Sequence, residues 1–399
     1  MNLKNNLSWT ALLHIANTLF PIVTLPLLLS ILDLNSYGQF LIISSLVGVY
    51  IILVDFGTSV YALKLLSKRR ENKKSYSNIY SQTIWIKVIA FLFLSIFFYM
   101  LCLYSDNDEY IFPTIILALS QSFTASLFYQ SAENNKPLAI FTSLIKVCVI
   151  APVLALVSFL GLNLGLNEVV SFYALSFFTI TIFSFCGYSK NYTINKPKSK
   201  LINTLVRYSS GFFFSRVSVL SYTKVNTVIV GVLWGEEIAA FFGTAEKVYN
   251  AIRGVFAPVT NALYPYMSRT KNISLFKKIC LYACLANIVI ILTANLTIEY
   301  GKEFVPVLEL ASHYFYIFSI ALLFTIPSIL YGYPFLGALG HSKEVNLSTL
   351  YGSFIYYCFI LLGFFIVGYQ IEIVIYGIIA TEIFVFIYRY KKVRGILKL

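Results

Sequence analysis

Charged side chains are scarce in this 399-residue chain: Asp, Glu, Lys and Arg make up 12% of it, against 58% hydrophobic and 17% aromatic residues. A soluble globular domain carries about 25% charge, so that class is excluded. Polar stretches long enough to fold alone are also missing. That argues against a glycan polymerase or membrane ligase with a catalytic loop, and against a receptor with a soluble partner domain. There is no Gly-rich phosphate loop, ATPase signature, HExxH pair or nucleophile elbow. The chain is therefore not expected to be an enzyme or to hold a cofactor or metal, and any transport must draw on an H+ or Na+ gradient or on substrate chemistry elsewhere. Cysteines number six, Cys102, Cys148, Cys186, Cys280, Cys284 and Cys358. Only Cys280 and Cys284 stand at helical i, i+4 spacing, with no His near them, so they read as small buried hydrophobes.

What is present is apolar sequence in long runs, with a mean hydropathy of +0.78. A membrane span needs about 20 mostly apolar residues. Twelve such stretches are predicted, at 8–32, 39–63, 82–104, 111–131, 138–160, 169–187, 206–234, 241–268, 278–298, 307–336, 347–368 and 373–390. The runs are continuous and lack the strand alternation of an outer-membrane barrel, so the fold class is an all-α integral membrane protein of about 12 transmembrane helices. The first run has no small-residue cleavage site after it and reads as a retained span. A division after the sixth span predicts an N-terminal six-helix lobe over 1–187, a cytoplasmic linker over 188–205 and a C-terminal six-helix lobe with a basic tail over 206–399. Spans two and eight share an acidic turn before them, aromatic-Gly pairs within and a basic loop after.

Charge sign sets the orientation, because Lys and Arg collect in short cytoplasmic loops. With the N-terminus inside, 23 of the 30 basic residues fall on the inner side, including Lys4, the run "KLLSKRRENKK" and the tail "RYKKVRGILKL". One, Lys302, falls outside, where acids such as Asp33, "DNDE" at 106–109, Glu236 and Glu237 gather. Both termini are thus expected in the cytoplasm. The net charge of +13 is a matter of topology and of anionic headgroups, not of nucleic acid.

An ionised group at mid-bilayer costs about 3 kcal/mol on insertion scales, so each one inside a span needs a partner or a watery cavity. Lys87 is near an inner end and reads as snorkelling. Lys146, deeper, either reaches the interface or points into a cavity. Arg216 and Lys224 straddle the seventh span, and on a continuous helix eight residues would leave them about 80° apart, on one broad face. In the eighth span Glu246, Asn250 and Arg253 form one polar stripe, extended by Thr260. That stripe is either a buried Glu246–Arg253 pair that joins helices or the lining of a cavity for an anionic substrate. Lys247 points off it and reads as an outer-face or interfacial residue. Asp55 and Glu382 are candidates for pairing with cations or carrying protons, and His14 is either a satisfied polar contact or a coupling group. Pro21, Pro26, Pro152, Pro258, Pro265, Pro327 and Pro334 each predict a kink.

The stretch "PLLLSILDLNSYGQF" followed by "VDFGTSVYALK" resembles the opening of the polysaccharide exporters of the multidrug/oligosaccharidyl-lipid/polysaccharide (MOP) superfamily. In turn, "SSGFFFSRVSVLSYTKVNTVIVG", "FGTAEKVYNAIRGVFAPVTNALYPYMSR" and "FLGALGHSKEVN" are similar to elements of Wzx-type O-antigen flippases, in the same order. The resemblance implies two six-helix lobes around a central cavity that opens to either side in turn. Its substrate would be an oligosaccharide repeat unit on undecaprenyl pyrophosphate, flipped from the cytoplasmic to the periplasmic leaflet of a bacterial inner membrane, with a polysaccharide polymerase complex as a candidate partner. Arg216, Lys224 and Arg253, with Asn250 and Lys146, are the residues expected at the diphosphate and sugars. Asp55, Glu246, Glu382 and His14 are expected to pair or couple. The first two spans lack the arginine cluster of the related lipid II flippases. An ion-coupled multidrug exporter of the same superfamily is the rival reading.

Overall fold

The computed structural model describes residues 3–69, 71–104, 108–162, 164–303 and 307–397, with the side chains of 3–7, 101–102, 104, 108, 265 and 397 left undescribed. Most of "DNDE", Arg70, Lys398 and the side chains of Lys4, Cys102 and Pro265 lie outside the described residues.

Every regular element among the described residues is a helix. In order come α1 (Leu3–Ile31), α2 (Leu34–Asp55), α3 (Thr58–Lys68), α4 (Lys73–Tyr104), α5 (Ile111–Ser122), α6 (Ser126–Ser131), α7 (Lys136–Leu144), α8 (Ala151–Phe159), α9 (Leu166–Ser189) and α10 (Ser199–Ser221). They are followed by α11 (Asn226–Trp234), α12 (Glu236–Val255), α13 (Ala257–Thr270), α14 (Ile273–Gly301), α15 (Val307–Leu330), α16 (Ser342–Ile366) and α17 (Glu372–Leu397). A π turn over Ile145–Ile150 joins α7 to α8, and a second over Tyr331–Gly337 follows α15.

Among the described residues, ten helical segments are long and apolar enough to cross a membrane, or eleven when α10 and α11, bent by 44° at their junction, count as one span. Their outward faces are apolar and bare: Phe93 is 69% exposed and Phe365 88%, as lipid-facing side chains must be. The remaining expected span, 241–268, is built as α12 and α13. Five charged residues in the twenty of α12 keep it from reading as apolar.

Spans two and eight are each broken. The former stops at Asp55 and restarts at Thr58, and the latter breaks at Phe256, where Pro258 in the first turn of α13 has no amide to continue the α12 ladder. The expected helical stripe from Glu246 to Thr260 is interrupted there, and Thr260 Oγ1 instead donates to the Ala257 carbonyl at 2.9 Å.

By contacts the chain divides into two compact units, 1–16 with 27–220 and 17–26 with 221–399. This division falls later than the linker expected over 188–205. The reason is physical: that segment is strapped to α4. Trp85 Nε1 donates to the Asn195 carbonyl at 3.0 Å, Gln82 accepts from the Lys198 amide at 2.7 Å, and Asn195 bonds Asn78 at 2.8 Å. The helix that follows, α10, then packs back on the break between α2 and α3 through Phe213, stacked on Phe56 at 4.4 Å between centroids. In the first unit α5 lies against α2 and α9, and Tyr76, Tyr80, Phe128 and Tyr188 make an aromatic core. In the second, α15 is central, packed by α12, α14 and α17, with α16 against α17.

Candidate functional site

In the first unit the polar centre is Asp55, the last residue of α2. Phe56 and Gly57 take left-handed backbone conformations (φ 46° and 68°), which ends the helix there. A Cβ on Gly57 would sit 2.7 Å from the Ser209 carbonyl and 2.8 Å from the Phe213 amide, so only glycine lets α10 approach this closely. A carboxylate at a helix C-terminus faces the negative end of the dipole and needs cations. Arg216 Nη1 supplies one at 2.6 Å from Oδ2, Lys87 Nζ a second at 3.5 Å from Oδ1, and Ser59 Oγ donates at 2.7 Å. Lys87 also donates to the Ser122 carbonyl at 3.3 Å, so it is held inside the unit and does not snorkel.

Lys146 is buried, 5% exposed, in the π turn between α7 and α8, with its ammonium 5.8 Å from the Phe177 ring centroid. The extra residue of a π turn re-aims side chains, and such turns often accompany functional positions.

The second unit gathers more charge. Glu246 is buried on α12 and accepts from Asn226 Nδ2 at 3.0 Å and Thr227 Oγ1 at 2.6 Å, both on α11, while Tyr356 of α16 donates to Asn226 Oδ1 at 2.5 Å. The Glu246–Arg253 ion pair considered from sequence is absent among the described residues: neutral donors hold the carboxylate. Arg253 instead lies over the Tyr249 ring at 5.4 Å, with Glu382, Tyr222 and Glu246 as its further electrostatic neighbours. Lys224 and Lys247 are both within electrostatic reach of Glu246, so Lys247 belongs to this cluster and not to an outer face. Glu382, 4% exposed on α17, has Arg253 and Arg389 as its cationic neighbours.

Arg389 is the residue sequence reasoning missed. In the sequence it opens the basic tail, yet it is 6% exposed. Its Nε donates to Ser348 Oγ at 2.9 Å and its Nη1 to the Ser328 carbonyl at 2.8 Å. The available signal was its i+7 spacing from Glu382, which puts both on one helical face. It also lies against the π turn: a Cβ on Gly332 would come within 2.9 Å of Nη1.

The predicted residues therefore fall into distinct places. Arg216 joins Asp55 in the first unit. Lys224, Arg253, Glu246 and Glu382 share the second unit's cluster. Lys224 sits in the non-helical break between α10 and α11, so the single helical face expected for Arg216 and Lys224 does not exist. Asn250 is half-buried one turn beyond Glu246 and is not among its hydrogen-bond partners, and His14 is exposed on α1.

A multi-pass helical bundle with broken spans and internal charge clusters is the architecture of a membrane transporter. The fold agrees. The chain superposes with a TM-score of 0.70 at 15% identity on an inward-facing multidrug resistance MATE family transporter of the MOP superfamily, covering 96% of both chains. An outward-facing MATE family transporter of that superfamily gives 0.62 at 14% identity, over 100% of this chain and 96% of the other. The sequence profile of the polysaccharide biosynthesis protein family matches residues 3–271, and the chain belongs to that family. Among relatives, a protein of Shigella dysenteriae described as an O-antigen transporter is 24% identical over 76% of this chain and 79% of its own length. One of Escherichia coli (strain K12) with the same description is 22% identical over 70% and 69%. The resemblance to Wzx-type flippases of the MOP superfamily read from the motifs thus holds.

Proposed function

We propose that this transporter flips an undecaprenyl-pyrophosphate-linked oligosaccharide repeat unit, of O-antigen or a similar surface polysaccharide, from the cytoplasmic to the periplasmic leaflet of the bacterial inner membrane by alternating access, with both termini in the cytoplasm. The observation that carries this reading is the charge balance in the second unit, where among the described residues Lys224, Arg253 and Arg389 outnumber the carboxylates Glu246 and Glu382 that neighbour them. Buried cations in excess call for an anion, and a lipid diphosphate supplies one that Arg can hold in bidentate fashion. In this reading Arg253 and Lys224 take the diphosphate, Asn250 bonds sugar hydroxyls, and Lys146 and Arg216 serve the first unit's part of the path. Glu246 and Glu382 are the carboxylates open to a coupling H+ or Na+, with His14 a further candidate, while Asp55 is occupied by its cations. Nothing in this reading requires catalysis. A polysaccharide polymerase complex would receive the product. The descriptions of the O-antigen relatives support the substrate class. An ion-coupled exporter of cationic drugs fits less well, because its pocket needs acids in excess.

The test is Arg253→Ala in a host lacking the chromosomal copy, with the leaflet distribution of the lipid-linked repeat unit and the surface polysaccharide both measured. Transport should fall about tenfold or more at unchanged protein level, the cost of one charge-assisted contact, and Arg253→Lys should restore it in part. Normal transport by a well-expressed alanine variant overturns the assignment. A deletion strain that moves the repeat unit normally, with no second exporter present, overturns the function.

A further inference from the structure

A cavity of about 580 Å³ opens in the second unit among α14, α17 and the π turn after α15. Its size is that of a small-molecule site. Phe276 and Val393 form a buried apolar floor, and Leu281, Tyr331 and Tyr390 continue it outward as apolar and aromatic wall. Two cations stand on it: Lys277, in the first turns of α14, and Arg394, in the last turn of α17. Both are exposed, as are the adjacent Lys278 and Lys391. Among the described residues lining the cavity there is no carboxylate. An apolar and aromatic cavity wall that carries two cations has the chemistry to take a phospholipid: acyl chain against the apolar wall, phosphodiester at the ammonium and guanidinium. Basic pockets between transmembrane helices take anionic headgroups for this reason. This cavity is lined by none of the residues assigned to the transported molecule.

We propose that this cavity is a binding site for a membrane phospholipid with an anionic headgroup, held by Lys277 and Arg394. The inference stands whatever the protein transports.

The experiment uses the intact protein. It is purified in mild detergent, offered phosphatidylglycerol, cardiolipin or phosphatidylcholine of matched chains, and examined by native mass spectrometry. The native chain should retain phosphatidylglycerol or cardiolipin at least about tenfold better than K277Q/R394Q, the loss expected for two neutralised cations. The charge-matched K271Q/K343Q control, whose residues lie outside the cavity, should retain it fully. Cys284 provides a second readout, because its thiol lines the same cavity. In a variant with every other cysteine replaced by alanine, phosphatidylglycerol should slow N-ethylmaleimide labelling of Cys284, and phosphatidylcholine should not. Equal retention by K277Q/R394Q, with a melting temperature matching the native chain, overturns the proposal. So does equal retention of phosphatidylcholine, protection of Cys284 by soluble glycerol phosphate alone, or displacement by undecaprenyl phosphate at equal mole fraction, which would make the site part of the transport path.

Discussion

Asp55 and Arg216 lie 161 residues apart in sequence and meet at 2.6 Å between Oδ2 and Nη1, joining the end of α2 to α10 inside the first unit. The carboxylate is buried and carries two cations, so removing it and removing one cation are unequal events. Without Asp55, Arg216 and Lys87 repel each other beside a helix end. Without Arg216, Lys87 and Ser59 still serve the carboxylate.

Asp55→Asn should therefore destabilise the protein more than Arg216→Gln. About 3 kcal/mol is expected for the former, the lower end of the range for breaking a buried pair, because the Arg216 side chain is 42% exposed and partly screened. Thermal unfolding in one detergent, with the double variant recovering part of the loss, checks the order. Arg216→Gln as the more damaging change would refute it.

Gly57 is required by both its backbone angle and its neighbours. Gly57→Ala should cost the roughly 1–2 kcal/mol of a left-handed non-glycine residue, with the displacement of α10 in addition. Gly161 gives the control, since its φ is 62° but nothing lies within 4 Å of a Cβ there. Gly161→Ala should lose only the backbone share, and Gly57→Ala should have the lower melting temperature.

The placement of the spans was legible because an apolar run of membrane length has few alternatives. The breaks were not. Pro258 reads equally as a kink or as the start of a new helix, and the Tyr222–Val225 break carries no proline or glycine to mark it. Side-chain pairing was less legible still. A heptad stripe puts Glu246 and Arg253 on one face of α12, but it is silent about α11, whose Asn226 and Thr227 take the carboxylate. Arg389 was hidden by its neighbours Lys391 and Lys392, whose exposure extends the basic run past a residue that is itself buried.

Glu246 is held by neutral donors, so charge and packing can be separated there. Glu246→Gln keeps two polar atoms in place, and the Thr227 hydroxyl can turn to accept from the new amide. Its melting temperature should stay close to native. Glu246→Leu takes the acceptor from the Thr227 hydroxyl and one of the two acceptors of the Asn226 amide, which keeps only the Tyr222 carbonyl, and should cost about 1–3 kcal/mol. If the carboxylate couples an ion, the glutamine variant folds normally yet loses gradient-driven transport. Native transport by a stable Glu246→Gln variant would end that role.

Outside the spans, Asp33 caps α2 by accepting from the Ser36 amide, and hydrogen bonding from Ser36 holds its carboxyl below the ordinary value of 3.8. A depressed folded value means that the cap contributes above the unfolded pKa and is lost as pH falls through the folded one. Asp33→Ser caps without titrating, so native and variant proteins should melt alike at pH 6, and the native protein should lose more between pH 4 and pH 3. Asp33→Ala should cost about 1 kcal/mol at pH 6. Parallel melting curves for the native and serine proteins down to pH 3 would remove the cap from the acid response.

Glu382 and Arg389 stand two helical turns apart on α17, both nearly sealed from solvent, and each has the other as an electrostatic neighbour. Arg389 has other bonds, to Ser348 and Ser328, so removing Glu382 leaves it hydrogen-bonded. Removing Arg389 leaves Glu382 with Arg253 as its remaining cationic neighbour among the described residues and also frees the Ser328 carbonyl. Arg389→Leu should then cost about 3–5 kcal/mol and Glu382→Leu less, with the double variant better than the sum of the singles. Arg253 decides what this means for function. If Glu382 serves only to balance Arg389, the double variant regains both stability and transport. If Glu382 tunes Arg253 for an anionic headgroup, stability returns while transport does not, because Arg253 has lost one of its two carboxylate neighbours and holds the diphosphate too tightly to release it. Melting temperature and flipping rate measured on the same four proteins separate the two, and a double variant no better than the sum of its singles would show that Glu382 and Arg389 act independently.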